Sequence, residues 1–186
     1  LPGRMLHFFE GRFFPAQDQR LGVMARALPG PVAHLLYVVR PYDELFVSAY
    51  RCRARDNRVT PFADLVPAMA AFDGGWVRTV AALRQHLAPH RLTVLTYEAR
   101  GGNPDLLQQL VPDLDLSGFA EAPRTLNVSA SDAALQALQA RFRDGLAPDA
   151  AEIDALVARH ADNRHSRGFA RFPEAERNRL RARYFA

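Results

Sequence analysis

The sequence predicts an α/β protein in which helices flank a parallel β-sheet. Two apolar runs rich in β-branched residues, 32–39 and 91–97, have the length and composition of strands buried on both faces. Segments with helical spacing of apolar residues precede, separate and follow these runs. Because strands that alternate with helices are typical of parallel sheets, we expect the two strands to run in the same direction.

Helices are predicted on both sides of the first strand. Apolar residues with helical spacing predict helices over 17–28, 43–55 and 76–87, and a shorter helix within 61–72. Asp43 is a suitable N-cap for the helix that follows the strand. A Pro-Gly-Pro sequence ends helix 17–28, and an Asp-Gly-Gly turn precedes helix 76–87.

Two of these helices carry apolar side chains that we expect to face the core. In helix 43–55 these side chains are Leu45, Phe46, Ala49 and Cys52. In helix 76–87 they are Val77, Val80, Ala81 and the residues from Leu83 to Leu87. Each helix should pack through the apolar face that these residues form.

The chain after the second strand is predicted to be mostly helical. The expected helices are 105–111, 131–142, 149–160 and 174–185, with Ser131 or Asp132 capping the second of them and an irregular segment over 112–123. Two strands make a small sheet, and the chain begins with Leu1 rather than Met. We therefore expect the domain to be truncated at its amino end, with further strands upstream of Leu1.

Length and composition fit a single domain that spans residues 1–186. Hydrophobic residues make up 48% of the chain, which is enough for an ordinary core. No apolar run approaches the ~18 residues that a membrane span needs, so we expect no membrane span. The single cysteine, Cys52, excludes an internal disulfide and, with no signal peptide visible, favours a cytoplasmic protein.

The charged residues limit the kinds of partner. All 24 basic residues are arginine, so a mechanism that needs a lysine amine cannot be completed by these residues. The net charge is +4, and the arginines are spread along the chain without a basic tract. This pattern gives little support to a nucleic-acid partner and fits a small polyanionic ligand.

The residues that follow the first strand are candidates for an anion site. Arg40 ends the strand, and Ser48 lies eight residues later on the next helix. Ligands of open α/β sheets bind at the carboxyl ends of strands, and a helix amino terminus attracts anions. Arg40 and Ser48 are therefore expected to form a phosphate pocket. An ion pair between Arg40 and a carboxylate such as Glu98, with Ser48 as a solvated helix serine, is an equally acceptable interpretation.

Tyr97 and Glu98 end the second strand, at the same edge of the sheet as Arg40 if the strands are parallel. Tyr97 could lie against a planar base, and the alternative is a tyrosine at the edge of the core. Glu98 could act as a base, although a structural ion pair is the preferred interpretation.

Four segments together resemble the sulfotransferases that use 3′-phosphoadenosine 5′-phosphosulfate (PAPS), the compact bacterial members in particular. The segments are VVRPYDELFVSAYR, LTVLTYEAR, LNVSASDAAL and GFARFPEAERNRLRARYF. The resemblance implies a P-loop NTPase-like fold, PAPS as the donor and its desulfated form, PAP, as the product. It also implies that Arg40 and Ser48 hold the 3′-phosphate and that Tyr97 lies near the adenine. Arg167 and Gly168 stand roughly where that family has a further phosphate-binding stretch, although a surface loop is the preferred interpretation.

The sequence departs from this family in two places. Ala99 stands where the family motif has an aspartate. The family's Lys-x-Gly-Thr-Thr loop, which cradles the 5′-phosphosulfate, does not occur in the sequence, and Gly101-Gly102 follows the wrong strand to replace it. We expect this loop upstream of Leu1 and expect activity to require it.

The activity that the resemblance implies is transfer of a sulfuryl group from PAPS to a hydroxyl or amine of a small-molecule or carbohydrate acceptor. Such an in-line displacement needs charge neutralisation and a base on the acceptor. His7 and Glu10 are candidates for the base, and the alternative for His7 is an ordinary partly buried histidine. No metal-binding pattern is present, so we expect no metal.

Two other functions stay open. The first is a non-catalytic nucleotide- or partner-binding protein on a degenerate sulfotransferase fold. The second is an ATP-dependent relative of the P-loop kinases, for which the sequence offers no acidic metal ligand at a strand end.

Overall fold

The computed structural model describes residues 3–120, 130–161 and 168–185 and contains both helices and a parallel sheet, as expected for the α/β class. A 3₁₀ helix, Met5–Glu10, is followed by α1 (Gln17–Ala27), β1 (His34–Val39), α2 (Tyr42–Asp56), α3 (Phe62–Ala70), α4 (Trp76–Leu87), β2 (Arg91–Thr96), α5 (Asn103–Leu110), α6 (Asp132–Arg143), α7 (Ala150–Arg159) and α8 (Glu174–Phe185). The longest of these helices, α2, has 15 residues, and no helix in the described ranges has the length and apolar character needed to cross a membrane.

Most predicted elements are found where the sequence places them, and α4 and α8 have the expected bounds. The 3₁₀ helix was not predicted. Helix α2 begins at Tyr42, so Asp43 lies inside its first turn rather than at the N-cap. Ser131 caps α6 as predicted, because its hydroxyl accepts a hydrogen bond from the backbone N–H of Ala134 at 3.2 Å.

The chain divides into two compact units. The sheet unit comprises Leu1–His7, Arg12–Pro41 and Asp73–Thr125, and the helical unit comprises Phe8–Gly11, Tyr42–Phe72 and Leu126–Ala186. The sheet unit thus contains α1, β1, α4, β2 and α5, and the helical unit contains α2, α3, α6, α7 and α8. The expectation of a single domain over residues 1–186 stays a prediction.

In the sheet unit the two strands pair in parallel, as predicted. The register runs from His34 opposite Arg91 to Val39 opposite Thr96. The expectation that both strands are buried on both faces is wrong, since β1 is mostly half-buried and Val94 of β2 is 42% exposed. Each strand has a neighbouring strand on one side only, because the sheet has two strands in the described part of the chain.

The core of the sheet unit forms where α1 packs on α4. Leu21 of α1 meets Leu83 and Leu87 of α4, and the side chains of β1 pack against this cluster. The predicted inward face of α4 is wrong for Val77, which is 81% exposed, and for Ala81, which is also exposed. Leu83 and Leu87 are buried as predicted, and they continue a buried row that begins with Trp76 and Thr79, because this row faces α1.

In the helical unit α2 packs against α6 and α8. Phe46 of α2 is fully buried and contacts the rings of Phe8, Phe72 and Phe172. The expectation that Cys52 faces the core is wrong, because its side chain is exposed. Helix α2 buries Tyr50 and Ala54 on that turn instead, so its buried face is rotated relative to the predicted one.

Candidate functional site

The carboxyl edge of the parallel sheet lies just beyond its last residue pair, Val39 and Thr96. The next residues in the chain are Arg40 and Tyr97, so the parallel register brings two predicted site residues to the same edge. The backbone of Arg40 is held there by a hydrogen bond from the indole Nε1–H of Trp76 to its carbonyl, at 2.8 Å. This bond anchors the end of β1 to the start of α4.

The side chains of Arg40 and Tyr97 contact each other. The guanidinium carbon of Arg40 lies 4.7 Å from the centre of the Tyr97 ring, which is within range for a cation–π interaction. Tyr97 is 37% exposed, so the pair lies at the surface rather than in the core. The sheet edge therefore places a half-buried cation against an exposed aromatic ring.

Arg100 belongs to the same cluster and was not among the predicted site residues. Its guanidinium carbon lies 4.3 Å from the Tyr97 ring centre, and its Nη2 donates to the Tyr97 hydroxyl at 3.3 Å. Residues 97–100 form a turn that is closed by the backbone N–H of Ala99 donating to the carbonyl of Thr96 at 3.1 Å. The sequence signal that could have indicated this contact is an arginine three residues after the tyrosine that ends the strand. A four-residue turn brings the side chain of its last residue back toward that of its first.

The glycines after this turn do not form an anion cradle. The Asp105 carboxylate accepts a hydrogen bond from the backbone N–H of Gly102 at 2.6 Å, so it closes the amino end of α5. Gly101 has a φ of +67°, and a Cβ there would lie 2.4 Å from the same carboxylate. Only glycine fits this position, and the reason is the close approach of Asp105 rather than a bound phosphate.

The alternative ion pair between Arg40 and Glu98 has no support in the described residues. Glu98 is exposed, and none of the ion pairs recorded there includes it. The guanidinium of Arg40 lies over Tyr97 instead. Because Glu98 and Tyr97 are adjacent in a turn, their side chains need not share a direction.

The amino end of α2, which was expected to attract an external anion, carries its own carboxylates. Asp43 is buried and accepts from Nε of Arg181 on α8 at 3.0 Å, and Glu44 accepts from Nη2 of the same arginine at 2.8 Å. The hydrogen bond to Asp43 raises the pKa of the Arg181 guanidinium. The negative charge of these carboxylates compensates part of the positive end of the α2 dipole, and both residues belong to the helical unit.

Ser48 lies in α2 and is half-buried. It belongs to the helical unit, whereas Arg40 belongs to the sheet unit. The assignment of Ser48 to a phosphate stays a prediction.

The two candidate bases lie on the 3₁₀ helix. His7 is half-buried, and its Nδ1 lies 3.5 Å from Nη2 of Arg12. Glu10 ends the helix and is exposed. The role of a base stays a prediction for both.

The second phosphate-binding candidate falls partly outside the structure. Arg167 and the Asn127–Ser129 segment lie outside the described residues. Gly168 is described, and the next residue, Phe169, donates its backbone N–H to the Asp132 carboxylate at 2.9 Å. This contact gives the Gly168 segment a structural partner, while a role in phosphate binding stays a prediction.

Metal ligands do not cluster in the part of the chain that the structure describes. No group of three or more His, Cys, Asp or Glu side chains there is arranged to hold a metal ion. The expectation of no metal stays a prediction.

A scan against protein-family models, a search of curated proteins and a search of solved structures found no match to this chain.

Proposed function

We propose that the protein is a PAPS-dependent sulfotransferase with a P-loop NTPase-like fold. The reaction would move a sulfuryl group from PAPS to a hydroxyl or amine of a small-molecule or carbohydrate acceptor. Support comes from the order of the four family-like segments in the sequence and from the parallel pairing of β1 with β2. The parallel pairing matters because it brings the ends of two of those segments together.

The observation that carries the proposal is the contact between Arg40 and Tyr97 at the carboxyl edge of the sheet. Adenosine 3′-phosphate joins a flat aromatic base to an anion, and this edge offers an aromatic ring beside a guanidinium. A guanidinium binds phosphate oxygens in a bidentate manner, and an aromatic side chain stacks on a base. The edge thus presents both chemistries that the ligand requires.

The proposal assigns a role to each residue of the site. Arg40 binds the 3′-phosphate and Tyr97 lies by the adenine, while the hydroxyl role that the resemblance gives to Ser48 stays a prediction. Arg100 supplies a second guanidinium, which the ring of Tyr97 and its hydroxyl position. Arg167 and Gly168 would make a further phosphate contact.

The chemistry is an in-line displacement at sulfur. The acceptor oxygen or nitrogen forms the new bond to sulfur while the bond from sulfur to the phosphate of the donor breaks and PAP leaves. The acceptor proton passes to a base, for which His7 and Glu10 are the candidates. Cationic side chains favour the departure of PAP because they stabilise the negative charge that it gains.

Titration of PAP onto the protein by isothermal calorimetry tests the site. Charged hydrogen bonds contribute about 1.5–3 kcal/mol each, so Arg40→Ala should weaken binding by about ten- to a hundredfold. The contact of Arg100 with the Tyr97 hydroxyl is exposed to solvent, where charged contacts contribute little. Arg100→Ala should therefore weaken PAP binding by about tenfold or less. The matched control is Arg91→Ala, because Arg91 is an exposed arginine at the opposite end of β2 and should leave affinity unchanged.

Equal affinity of the unchanged protein and Arg40→Ala for PAP would remove the basis of the assignment. A transfer assay with labelled PAPS and a panel of acceptors then separates the enzyme from the non-catalytic alternative. A binding protein on a degenerate fold keeps the Arg40-dependent affinity for PAP and transfers no label.

A further inference from the structure

A second site is indicated at the start of α1, in the sheet unit. A cleft of about 260 Å³ opens there, and its lining residues are Gly3, Arg4, His7, Pro15, Ala16 and Arg20. A water molecule occupies ~30 Å³ in the liquid, so the cleft has room for a polyatomic ion with its hydration. None of the lining residues belongs to the Arg40–Tyr97–Arg100 cluster, so this cleft is a separate feature.

The lining of the cleft is cationic. Arg4 and Arg20, both exposed, are among its lining residues, and none of those residues is acidic. His7 adds a ring nitrogen donor. Because arginine can only donate, the contact from Nη2 of Arg12 requires Nδ1 of His7 to accept, which leaves the ring proton on Nε2.

The wall of the cleft is held by packing beneath it. Phe14, just before the lining residue Pro15, has a φ of +47°, a conformation that is unfavourable for a residue with a side chain. Its ring is buried against Phe13 and Trp76, at 4.7 and 6.2 Å between ring centres, which holds this turn in place. A Cβ on Gly3, another lining residue, would lie 2.4 Å from the Phe14 ring, so Gly3 also packs closely against this turn.

The amino end of α1 adds to the positive character of the cleft. Its N-cap is Ala16, which has no side-chain oxygen to accept from the backbone N–H groups of the first turn. Helix amino ends carry a partial positive charge, and this one lies at the cleft wall formed by Pro15 and Ala16. The first turn of α1 also carries Asp18, whose carboxylate offsets part of this charge and lies 3.1 Å from Nε2 of His86. The helix end supports the cationic side chains rather than replacing them.

We propose that this cleft binds a small oxyanion, the phosphate or sulfate group of a small-molecule ligand, through Arg4, Arg20 and His7. Two guanidinium groups and an imidazole donor suit the several oxygens of a tetrahedral anion. The cleft shares no residue with the Arg40–Tyr97–Arg100 cluster, and His7 is the one lining residue that also has a role in the proposed reaction, as a candidate base.

The test is a titration of the ¹⁵N-labelled protein with inorganic phosphate and, separately, with sulfate at constant ionic strength, followed by NMR. The backbone amides of Gln17–Gln19 and the His7 ring should shift and saturate. In the double variant Arg4→Ala/Arg20→Ala the apparent affinity should fall by about tenfold or more. The matched control is Arg26→Ala, which removes an exposed arginine from the last turn of the same helix and should change affinity less than about twofold.

Unchanged affinity in the double variant, or an equal loss in Arg26→Ala, overturns the proposal, because both results indicate attraction to the net charge alone. Acetate in place of phosphate separates tetrahedral anions from carboxylates, and equal affinity for acetate would also contradict the proposal. If the double variant does not keep the amide spectrum of β1 and β2, the single variants Arg4→Gln and Arg20→Gln replace it. Arg40→Ala should bind phosphate at this cleft like the unchanged protein.

Discussion

The two units bury polar side chains in different ways. The helical unit buries carboxylates as well as neutral groups such as Gln139: Arg51 bonds to the Asp132 carboxylate and to the Ala130 carbonyl, with side chains only 12% and 4% exposed for Arg51 and Asp132. In the described part of the sheet unit the buried polar side chains are neutral: the hydroxyl of Thr79 lies 2.9 Å from Oε1 of Gln17, and both residues are buried. The arginines at the sheet edge lie against an aromatic ring.

This difference separates arginines that hold the fold from arginines that can meet a ligand. A buried guanidinium must be paired with a carboxylate, since an unpaired buried charge is strongly destabilising. A guanidinium that lies against an exposed aromatic ring is positioned by that ring near the surface, where an anion can approach. The arginines of the sheet edge and of the cleft at α1 lie in the sheet unit, whereas the buried Arg51–Asp132 pair lies in the helical unit and contributes to stability.

The largest expected effect is loss of the buried carboxylate in the helical unit. Asp132→Ala leaves Arg51 without its carboxylate and the N–H of Phe169 without its acceptor, and should lower the free energy of unfolding by about 3–5 kcal/mol. Urea denaturation followed by circular dichroism measures this loss.

The control for Asp132 is Asp154→Ala, which removes the partner of Arg55 in an ion pair whose carboxylate is 72% exposed. An exposed pair contributes about 0–1 kcal/mol, so this variant should unfold close to the unchanged protein. Similar losses in the two variants would mean that burial does not distinguish these pairs.

A smaller effect is expected for the neutral pair of the sheet unit. Thr79→Val keeps the shape of the side chain but removes the donor to Gln17, and should lower the free energy of unfolding by about 1–3 kcal/mol. The control is the inverse change on the same helix, Val77→Thr. Because Val77 is exposed, this variant should change the free energy of unfolding by no more than about 0.5 kcal/mol. A loss from Thr79→Val as large as that from Asp132→Ala would erase the contrast between the two units.

The smallest effect is a pH dependence in the sheet unit. Burial raises the pKa of Tyr37, so the hydroxyl stays protonated in the folded protein after the same group has ionised in the unfolded chain. A raised folded-state pKa gives stability that is complete below the unfolded pKa of about 10 and is lost as pH rises through the folded pKa. Tyr37→Phe should therefore be more stable than the unchanged protein by roughly 1 kcal/mol at about pH 11, relative to the difference at pH 7.

Denaturation curves at both pH values measure this difference for Tyr37. Burial also raises the pKa of Tyr50 in the helical unit, so Tyr50→Phe should show the same sign at high pH. Its hydroxyl donates to the Thr60 carbonyl at 2.9 Å, so this variant should also lose stability at neutral pH. Identical pH profiles for the unchanged protein and Tyr37→Phe would contradict the burial of that hydroxyl.

The site was predictable in part. The sequence places Arg40 and Tyr97 directly after two apolar runs, and parallel pairing follows from the alternation of strands with helices, so their meeting at one edge could be expected. The contact with Arg100 could not, because it depends on how the Tyr97–Arg100 turn folds back. The cationic cleft joins residues 3–7 to residues 15–20, and the fold of the turn between them brings these segments together.

Local patterns determine the elements of this protein, and distant contacts determine their faces. Hydrophobic periodicity and capping residues act over one or two turns, which is why α4, α8 and the Ser131 cap follow from the sequence alone. Which surfaces meet decides that Val77 and Cys52 are exposed. It also decides that Arg181 pairs with Asp43, which lies 138 positions away in the sequence. Packing is decided by the partner surface as well as by the helix itself, so these features appear only in the folded chain.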